Sequence, residues 1–253
     1  MKIQEYMKNP AGKGAVLPGR DIFIQNYDYR YQVLSKEKDF EMNIYTQDNC
    51  VYYHILVPSE GEYRENNYDV VIKFKPSGMG NKLDGSYKQY ELEFFSNSPA
   101  FAYTYAYVAK LNGYLIQELM NKYDEKILTY PPTSRNPGLM FNFEKSIYFA
   151  CKYLLSDSQF LLKSYVKSHS KKLTKNVLKE IRTVSKIEEE YKSEKNKKEE
   201  RELKELKKNM ENKSGVKSIN KKEVQTNINV IKKKVATKKK TNTITPIKKK
   251  KKL

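Results

Sequence analysis

Three carboxylates occupy positions at which a metal-dependent nuclease could carry its ligands. Asp69 opens one apolar strand pattern, and Glu91 and Glu93 lie in the next. An acidic residue on one strand and an acidic pair on the next resembles the metal-binding edge of restriction-type folds, where carboxylate oxygens hold Mg²⁺. That chemistry also needs a lysine two residues after the second carboxylate, where this sequence has Glu93 or Phe95. The pattern is incomplete, and carboxylates on the wet face of an amphipathic strand are the favoured interpretation.

Clusters of lysine in residues 212–253 form the strongest functional pattern. This segment holds fifteen lysines and a single acid, Glu223. Small polar and β-branched residues separate the clusters, which is typical of a chain that follows a phosphate backbone without reading sequence. The pattern predicts non-specific nucleic-acid binding, with a solubilising tail, an acidic membrane surface and a nuclear-localisation signal as alternatives. The predicted contact residues are Lys232, Lys233, Lys234, Lys238, Lys239, Lys240, Lys248, Lys249, Lys250, Lys251 and Lys252.

A cluster of tyrosines at Tyr103, Tyr105 and Tyr107 is the second candidate binding feature. Aromatic side chains can stack on nucleic-acid bases, but single-strand binders interleave them with basic residues. Only Lys110 lies close in the sequence. Tyrosine is also enriched at protein interfaces, because its ring is apolar and its hydroxyl tolerates water. The cluster therefore predicts core packing and protein docking.

Other catalytic chemistries have little support in the composition. The chain has two histidines, His54 and His169, so no zinc set and no Ser-His-Asp triad can be assembled. Cys50 and Cys151 lie in separate apolar runs, which is typical of buried reduced thiols. The segment 12–14, Gly-Lys-Gly, lacks the Walker spacing of a phosphate loop. We expect no cofactor and no metal.

Period-two and helical patterns indicate the elements that would position these residues. Apolar residues alternate with polar ones in 40–44 and 90–94, and Val70, Ile72 and Phe74 alternate with Val71 and Lys73. The segment 50–57 is apolar on both faces and predicts a central strand. Short connections favour antiparallel pairing. A helix begins near Asp21, and further helices are expected in 111–123 and from Phe143. The predicted fold is α+β: a four-stranded antiparallel sheet with an N-terminal helix and C-terminal helices.

Charge and aromatic residues divide the chain into four parts. Residues 1–170 have a net charge of +1 and 171–253 a net charge of +18, and of the 21 tyrosines only Tyr191 lies in the second part. A segment without aromatic residues buries too little apolar surface to fold alone. We therefore predict a flexible arm (1–20), a globular domain (21–170), a charged helical stem (171–211) and a disordered lysine-rich tail (212–253). Glu and Lys four residues apart support the stem as a helix.

Several phrases resemble uncharacterised bacteriophage proteins of low-GC Gram-positive hosts. They are Asn-Pro-Ala-Gly-Lys-Gly at 9–14, Ser-Asn-Ser-Pro-Ala-Phe at 96–101, Tyr-Thr-Tyr-Ala at 103–106, Arg-Asn-Pro at 135–137 and Glu-Lys-Ser at 144–146. The resemblance covers residues 9–155 and leaves out the tail. It implies a phage context, in which such small proteins are often structural parts of the particle.

These observations favour a non-enzymatic virion-associated protein that docks on other virion or assembly proteins through its domain and binds nucleic acid through its tail. A metal-dependent nuclease and a DNA- or RNA-binding regulator are the alternatives. We expect the protein in the virion or the host cytoplasm, because the sequence has neither the apolar region of a signal peptide nor a stretch long enough to span a membrane. The oligomeric state stays open.

Overall fold

Five strands form one mixed sheet at the centre of the fold. The computed structural model describes residues 1–11, 15–17, 19–60, 67–76 and 85–213. The strands are β1 (Glu41–Gln47), β2 (Cys50–Pro58), β3 (Asn67–Lys75), β4 (Glu91–Ser96) and β5 (Ser170–Lys172), in the order β4-β3-β2-β1-β5. The first four pair antiparallel, as their period-two patterns and short connections predict, and β2 is central.

The prediction of a purely antiparallel four-stranded sheet is corrected by β5, which pairs parallel with β1. Its three residues, Ser-Lys-Lys, contain no apolar alternation, so no local pattern marks them as a strand. The pairing depends on where the preceding helix delivers the chain. Lysines on an edge strand also discourage pairing with another chain.

The rest of the described chain is largely helical. The helices are α1 (Ile3–Lys8), α2 (Arg20–Glu37), α3 (Pro99–Thr104), α4 (Ala106–Leu111), α5 (Glu125–Thr129), α6 (Lys145–Ser156), α7 (Lys163–His169), α8 (Lys175–Glu180) and α9 (Val184–Lys213), with 3-10 turns at Gln117–Lys122 and Ser158–Leu161. The expected helix over 111–123 is wrong, because α4 ends at Leu111 and Gly113 takes a left-handed conformation (φ 67°). The chain then runs beside β4 and forms the first 3-10 turn.

The N-terminal segment is not a flexible arm over its first residues. Ile3 and Tyr6 of α1 are fully buried, and Leu17 is buried as well. The Tyr6 ring centroid lies 5.0 Å from that of Phe94 in β4. Ile3 and Tyr6 are three positions apart, so one turn of helix places both on the same face. Residues 12–14 and 18 of the predicted arm lie outside the described residues.

One face of the sheet is covered by α6, which packs across β2, β3 and β4. Ile147, Cys151 and Leu154 are fully buried at helical spacing. The Glu144 carboxylate accepts a hydrogen bond from the backbone N–H of Ile147 (3.0 Å) and so caps this helix. The face nearest α6 is therefore a conventional apolar layer.

The opposite face of the sheet is also covered. The prediction that each alternating strand exposes one face to solvent is therefore wrong for β3. The Tyr123 ring packs against Phe95 in a tilted arrangement, with 5.2 Å between ring centroids. Asp69 and Lys73, which alternate with apolar residues along β3, are both buried. The charged residues of this strand thus lie inside the protein.

The predicted stem does not begin as a separate helix at residue 171. Residues 1–196 form one compact unit, which includes β5, α8 and the start of α9. Leu173, Ile181, Val184 and Ile187 are buried in it. Together with the partly buried Val177, they follow the three-and-four spacing that predicts a helix with a packed side, although the helix is interrupted between α8 and α9. Beyond Asn196, α9 continues to Lys213, with an ion pair between Lys198 and Glu202.

Candidate functional site

Asp69 lies at the centre of a buried polar network on the face of the sheet opposite α6. Its side chain is about 4% exposed. His54 Nε2 lies 2.7 Å from one carboxylate oxygen, and Arg182 Nε donates to the other at 2.7 Å. Asn97 Nδ2 also donates to that second oxygen at 2.8 Å, and its own side-chain oxygen accepts from the Asp69 backbone N–H. The carboxylate therefore has partners from three separate segments: β2, the residue that follows β4, and the connection between α8 and α9.

The charge of Asp69 is stabilised by these partners. Burial by itself raises the pKa of a carboxyl group, but the hydrogen bonds and charges of His54 and Arg182 outweigh burial and hold the pKa of Asp69 below its usual value. Asp69 is thus ionised in a dry environment. The arrangement is that of a structural ion pair, in which removing one partner leaves an uncompensated charge.

Arg182 connects three parts of the chain. Its guanidinium donates to Asp69, to Glu190 Oε2 (3.0 Å) and to the backbone carbonyl of Asn67. The residue lies between α8 and α9. Planar guanidinium groups can make several such bonds from fixed directions, which a lysine cannot. Arg182 therefore fastens the start of α9 to β3.

Glu93 belongs to a different cluster of charges on the same face. Lys75 Nζ lies 2.7 Å and Lys73 Nζ 3.3 Å from its two carboxylate oxygens. Lys73 also contacts Glu118 Oε1 at 2.8 Å, and the Tyr52 hydroxyl donates to that oxygen. Burial lowers the pKa of Lys73, but the Glu118 hydrogen bond and the Glu93 charge outweigh burial and raise it. Glu93 is therefore neutralised by two lysines.

The three predicted carboxylates are not brought together. Lys73 is opposite Glu93 and Lys75 is opposite Glu91 in the β3–β4 register. Along β3, Asp69 is four residues from Lys73 and six from Lys75. At strand spacing it therefore lies roughly 13 Å along the sheet from the level of Glu93 and roughly 20 Å from that of Glu91. Glu91 is exposed. Among the described residues, no group of three or more His, Cys, Asp or Glu side chains could hold a metal ion.

The predicted docking tyrosines have different environments. Tyr103 is 37% exposed, and the Arg135 guanidinium lies 5.6 Å from its ring centroid. Tyr105 packs against Phe141, and burial raises its pKa to about 12. Tyr107 is partly buried against the core. Only Tyr103 of the three faces solvent to a large extent.

Apolar side chains accompany Tyr103 at the surface. Leu139 and Met140 are each more than one third exposed. Asn136 holds this loop against α3, because its Nδ2 donates to the carbonyls of Thr104 (3.3 Å) and Met140 (2.8 Å). Tyr, Met and Arg are the residues enriched at the centres of protein interfaces. We define Tyr103, Arg135, Leu139 and Met140 as the Tyr103 surface.

Other predicted sites lie outside the described residues. The eleven tail lysines from Lys232 to Lys252 and the Gly-Lys-Gly segment at 12–14 are among them. Both cysteines are free thiols, and burial raises the pKa of each. Within the described ranges, no helix combines the length and the hydropathy needed to cross a membrane.

Sequence reasoning missed the partners of Asp69. His54 and Arg182 carry no motif, and Arg182 is 113 residues from Asp69 in the chain. The only local signal is an acidic residue that opens an apolar strand. A buried carboxylate is stabilised by pairing with a cation, but the sequence does not indicate which arginine or histidine forms that pair.

Comparisons with protein-family models, with curated proteins and with solved structures give no match for this chain.

Proposed function

We propose that this chain is a non-enzymatic phage structural or virion-associated protein. Its folded domain docks on other protein subunits, and its lysine-rich tail binds nucleic acid without sequence preference. The observation that carries the proposal is the separation of charge. Residues 1–170 are nearly neutral, whereas 212–253 hold fifteen lysines against Glu223. Such a polycation attracts a polyanion by releasing its counterions.

The domain supports docking more than catalysis. Asp69 and Glu93, the buried carboxylates of the nuclease alternative, are matched by cations within the fold. A carboxylate already paired with arginine or lysine is a poor ligand for Mg²⁺, which requires an open oxygen position. The Tyr103 surface, by contrast, exposes the residue types of a protein interface. The nuclease alternative therefore has less support than a binding function.

The salt dependence of binding tests the tail. In full-length protein, the eleven lysines between 232 and 252 are replaced by Gln in one variant and by Arg in a matched control. If about five of them contact phosphates, the log–log salt slope on duplex DNA falls by about 4.5 in the Gln variant. The Arg control keeps the slope, because its charge is unchanged. Equal slopes in the wild type and the Gln variant would contradict the tail's role.

The Tyr103 surface is tested with purified phage particles. Mass spectrometry of virions should detect this chain. Arg135→Ala together with Tyr103→Ala should reduce its amount in the particle, because truncation removes both the ring and its cation. Lys126→Ala, at an exposed lysine on α5, serves as the control. Equal incorporation of both variants would show that docking uses another surface.

A further inference from the structure

A basic cleft lies on the domain itself, at the end of the sheet that carries the β1–β2 turn. It has a volume of about 720 Å³. Its lining includes Gln47 and Asn49 at the turn, Lys172 of β5, Lys163 of α7 and Tyr87. Clefts of roughly 300–1,000 Å³ are the size of ligand sites in proteins. This one combines cations, amides and an aromatic ring.

Backbone pairing brings the cleft's remote segments together. The N–H of Tyr87 donates to the carbonyl of Leu161 (2.8 Å), and the N–H of Lys163 donates to the carbonyl of Gly85 (2.7 Å). These bonds hold the segment before β4 against the start of α7. Lys163 Nζ consequently lies 5.6 Å from the ring centroid of Tyr90. A cation held against an aromatic ring in this way has a defined position.

The turn and the edge strand complete the cleft. Asp48 and Asn49 both have positive φ (50° and 62°), which is the geometry of a type I′ hairpin turn. Lys172 is opposite Thr46 in the β5–β1 register, so the edge strand fixes its backbone beside this turn. The two lysines of the cleft are therefore supplied by different elements that the fold holds in place.

The two lysines of the cleft come from a strongly basic segment of the chain. Residues 158–179 contain six lysines and no acid, although the domain is nearly neutral. Lys167, four positions after Lys163, lies on the same side of α7 and is exposed. Within the described part of the chain, Lys172 makes no ion pair. Asp48 also lines the cleft, and its carboxylate accepts a hydrogen bond from Gln47.

We propose that this cleft binds a single strand of nucleic acid. Lys163 and Lys172 contact phosphates, the amides of Gln47 and Asn49 meet sugar or base edges, and the Tyr87 ring contacts a base. Single-strand binders combine a basic groove with aromatic side chains in this way. A cleft of this size admits a nucleotide or two and not a duplex. The inference rests on the proposed nucleic-acid binding and adds a second, folded contact to that of the tail.

The two contacts would act together. The tail captures a polyanion from many directions, and the cleft then meets it at a raised effective concentration. Because the tail dominates overall affinity, the cleft is measured in full-length protein whose eleven tail lysines are Gln. In that background, Lys163→Gln with Lys172→Gln removes the two positive charges that line the cleft. Lys36→Gln with Lys126→Gln removes two exposed lysines elsewhere and is the matched control.

Fluorescence anisotropy with oligonucleotides of roughly 12 nucleotides, a length within the site sizes of single-strand binders, provides the measurement. Oligo-dT and oligo-rU distinguish DNA from RNA, and a duplex of the same length is compared. The cleft variant should bind single strands about three- to tenfold more weakly than the control, and its salt slope should fall by about 1.4 for two phosphates. Lys163→Arg with Lys172→Arg should keep binding, and thermal unfolding checks that the variants fold.

The outcomes separate the cleft from the tail. If the cleft variant and its control bind equally well, the proposed binding by the cleft is wrong and the role of the tail is unaffected. The same conclusion follows if replacing the tail lysines abolishes all binding. Tighter binding of the duplex, or equal competition by polyglutamate, would overturn single-strand recognition. Absence of nucleic-acid binding by the wild-type chain would overturn the proposed function and the cleft together. If the cleft variant weakens binding but replacing the tail lysines has no effect, the cleft would be supported as the binding site and the role of the tail would be rejected.

Discussion

Arg182, between α8 and α9, donates from Nε to Asp69 on β3 at 2.7 Å. The Asp69 side chain is buried, and the Arg182 side chain is about one fifth exposed. The contact joins the second half of the described chain to the interior of the sheet. Because Asp69 is charged and desolvated, the contact has a larger effect on stability than an exposed ion pair.

Replacing Arg182 by Ala should lower the free energy of unfolding by about 3–5 kcal/mol, because the Asp69 charge remains buried without its guanidinium. Urea denaturation followed by circular dichroism measures this. Arg20→Ala removes an arginine that pairs with Asp21 at the surface and should cost less than about 1 kcal/mol. In an Asp69→Asn background, Arg182→Ala should cost less than in the wild type. Equal costs in both backgrounds would mean that the ion pair is not the stabilising contact.

Acid should destabilise the protein through Asp69. Its folded-state pKa is lower than in the unfolded chain, so ionised Asp69 stabilises the fold above the unfolded value of about 3.9. This contribution is lost as the pH falls through the folded-state pKa. Unfolding free energies measured from about pH 6 to pH 2.5 should therefore fall more steeply in the wild type than in Asp69→Asn. Asp21→Asn, at an exposed carboxylate, is the control and should keep the wild-type dependence of stability on pH. If Asp69→Asn also kept that dependence, Asp69 would not be the group through which acid destabilises the protein.

The strands that alternate in sequence were predictable, and the strand that depends on its surroundings was not. The apolar patterns mark β1 to β4 as strands, although the polar residues Asp69 and Lys73 of β3 and Glu93 of β4 are buried as well. The Ser-Lys-Lys of β5 has no such signal, since its pairing with β1 follows from the path of α7. For α1, Ile3 and Tyr6 supply a helical spacing, but the prolines and glycines that follow favour an irregular segment.

The candidate sites also differ in how far the sequence alone predicts them. The lysine clusters can be read from composition alone, because an unpaired run of like charge needs no fold to attract a polyanion. The basic cleft combines Lys163 and Lys172 with Tyr87, which is far from both in the chain and is held near them by backbone pairing. The Asp69 network likewise depends on Arg182, whose sequence neighbourhood contains no marker of its role. Such long-range groupings require the tertiary structure.

Tyr6 should be essential for attaching the N-terminal helix. It is fully buried, and its ring contacts Phe94 and Phe143. Tyr6→Ala should lower the free energy of unfolding by about 3–5 kcal/mol, as for other large core aromatics. Tyr29→Ala, at a tyrosine of α2 that is largely exposed, should cost less than about 1 kcal/mol and is the control. If Tyr6→Ala were as mild as the control, α1 would be dispensable for the fold.

Purified protein should not cleave DNA in the presence of Mg²⁺ or Mn²⁺, since Asp69, Glu91 and Glu93 are spread along the strands and two of them are ion-paired. Incubation with plasmid and with labelled single strands measures this. Glu91 is the informative position, because its side chain is exposed and can be removed without leaving a buried charge. Cleavage by the wild type that disappears in a folded Glu91→Ala variant, and again in Asp69→Ala, would mean that the strands rearrange around metal. A catalytic function would then replace the docking role proposed for the domain.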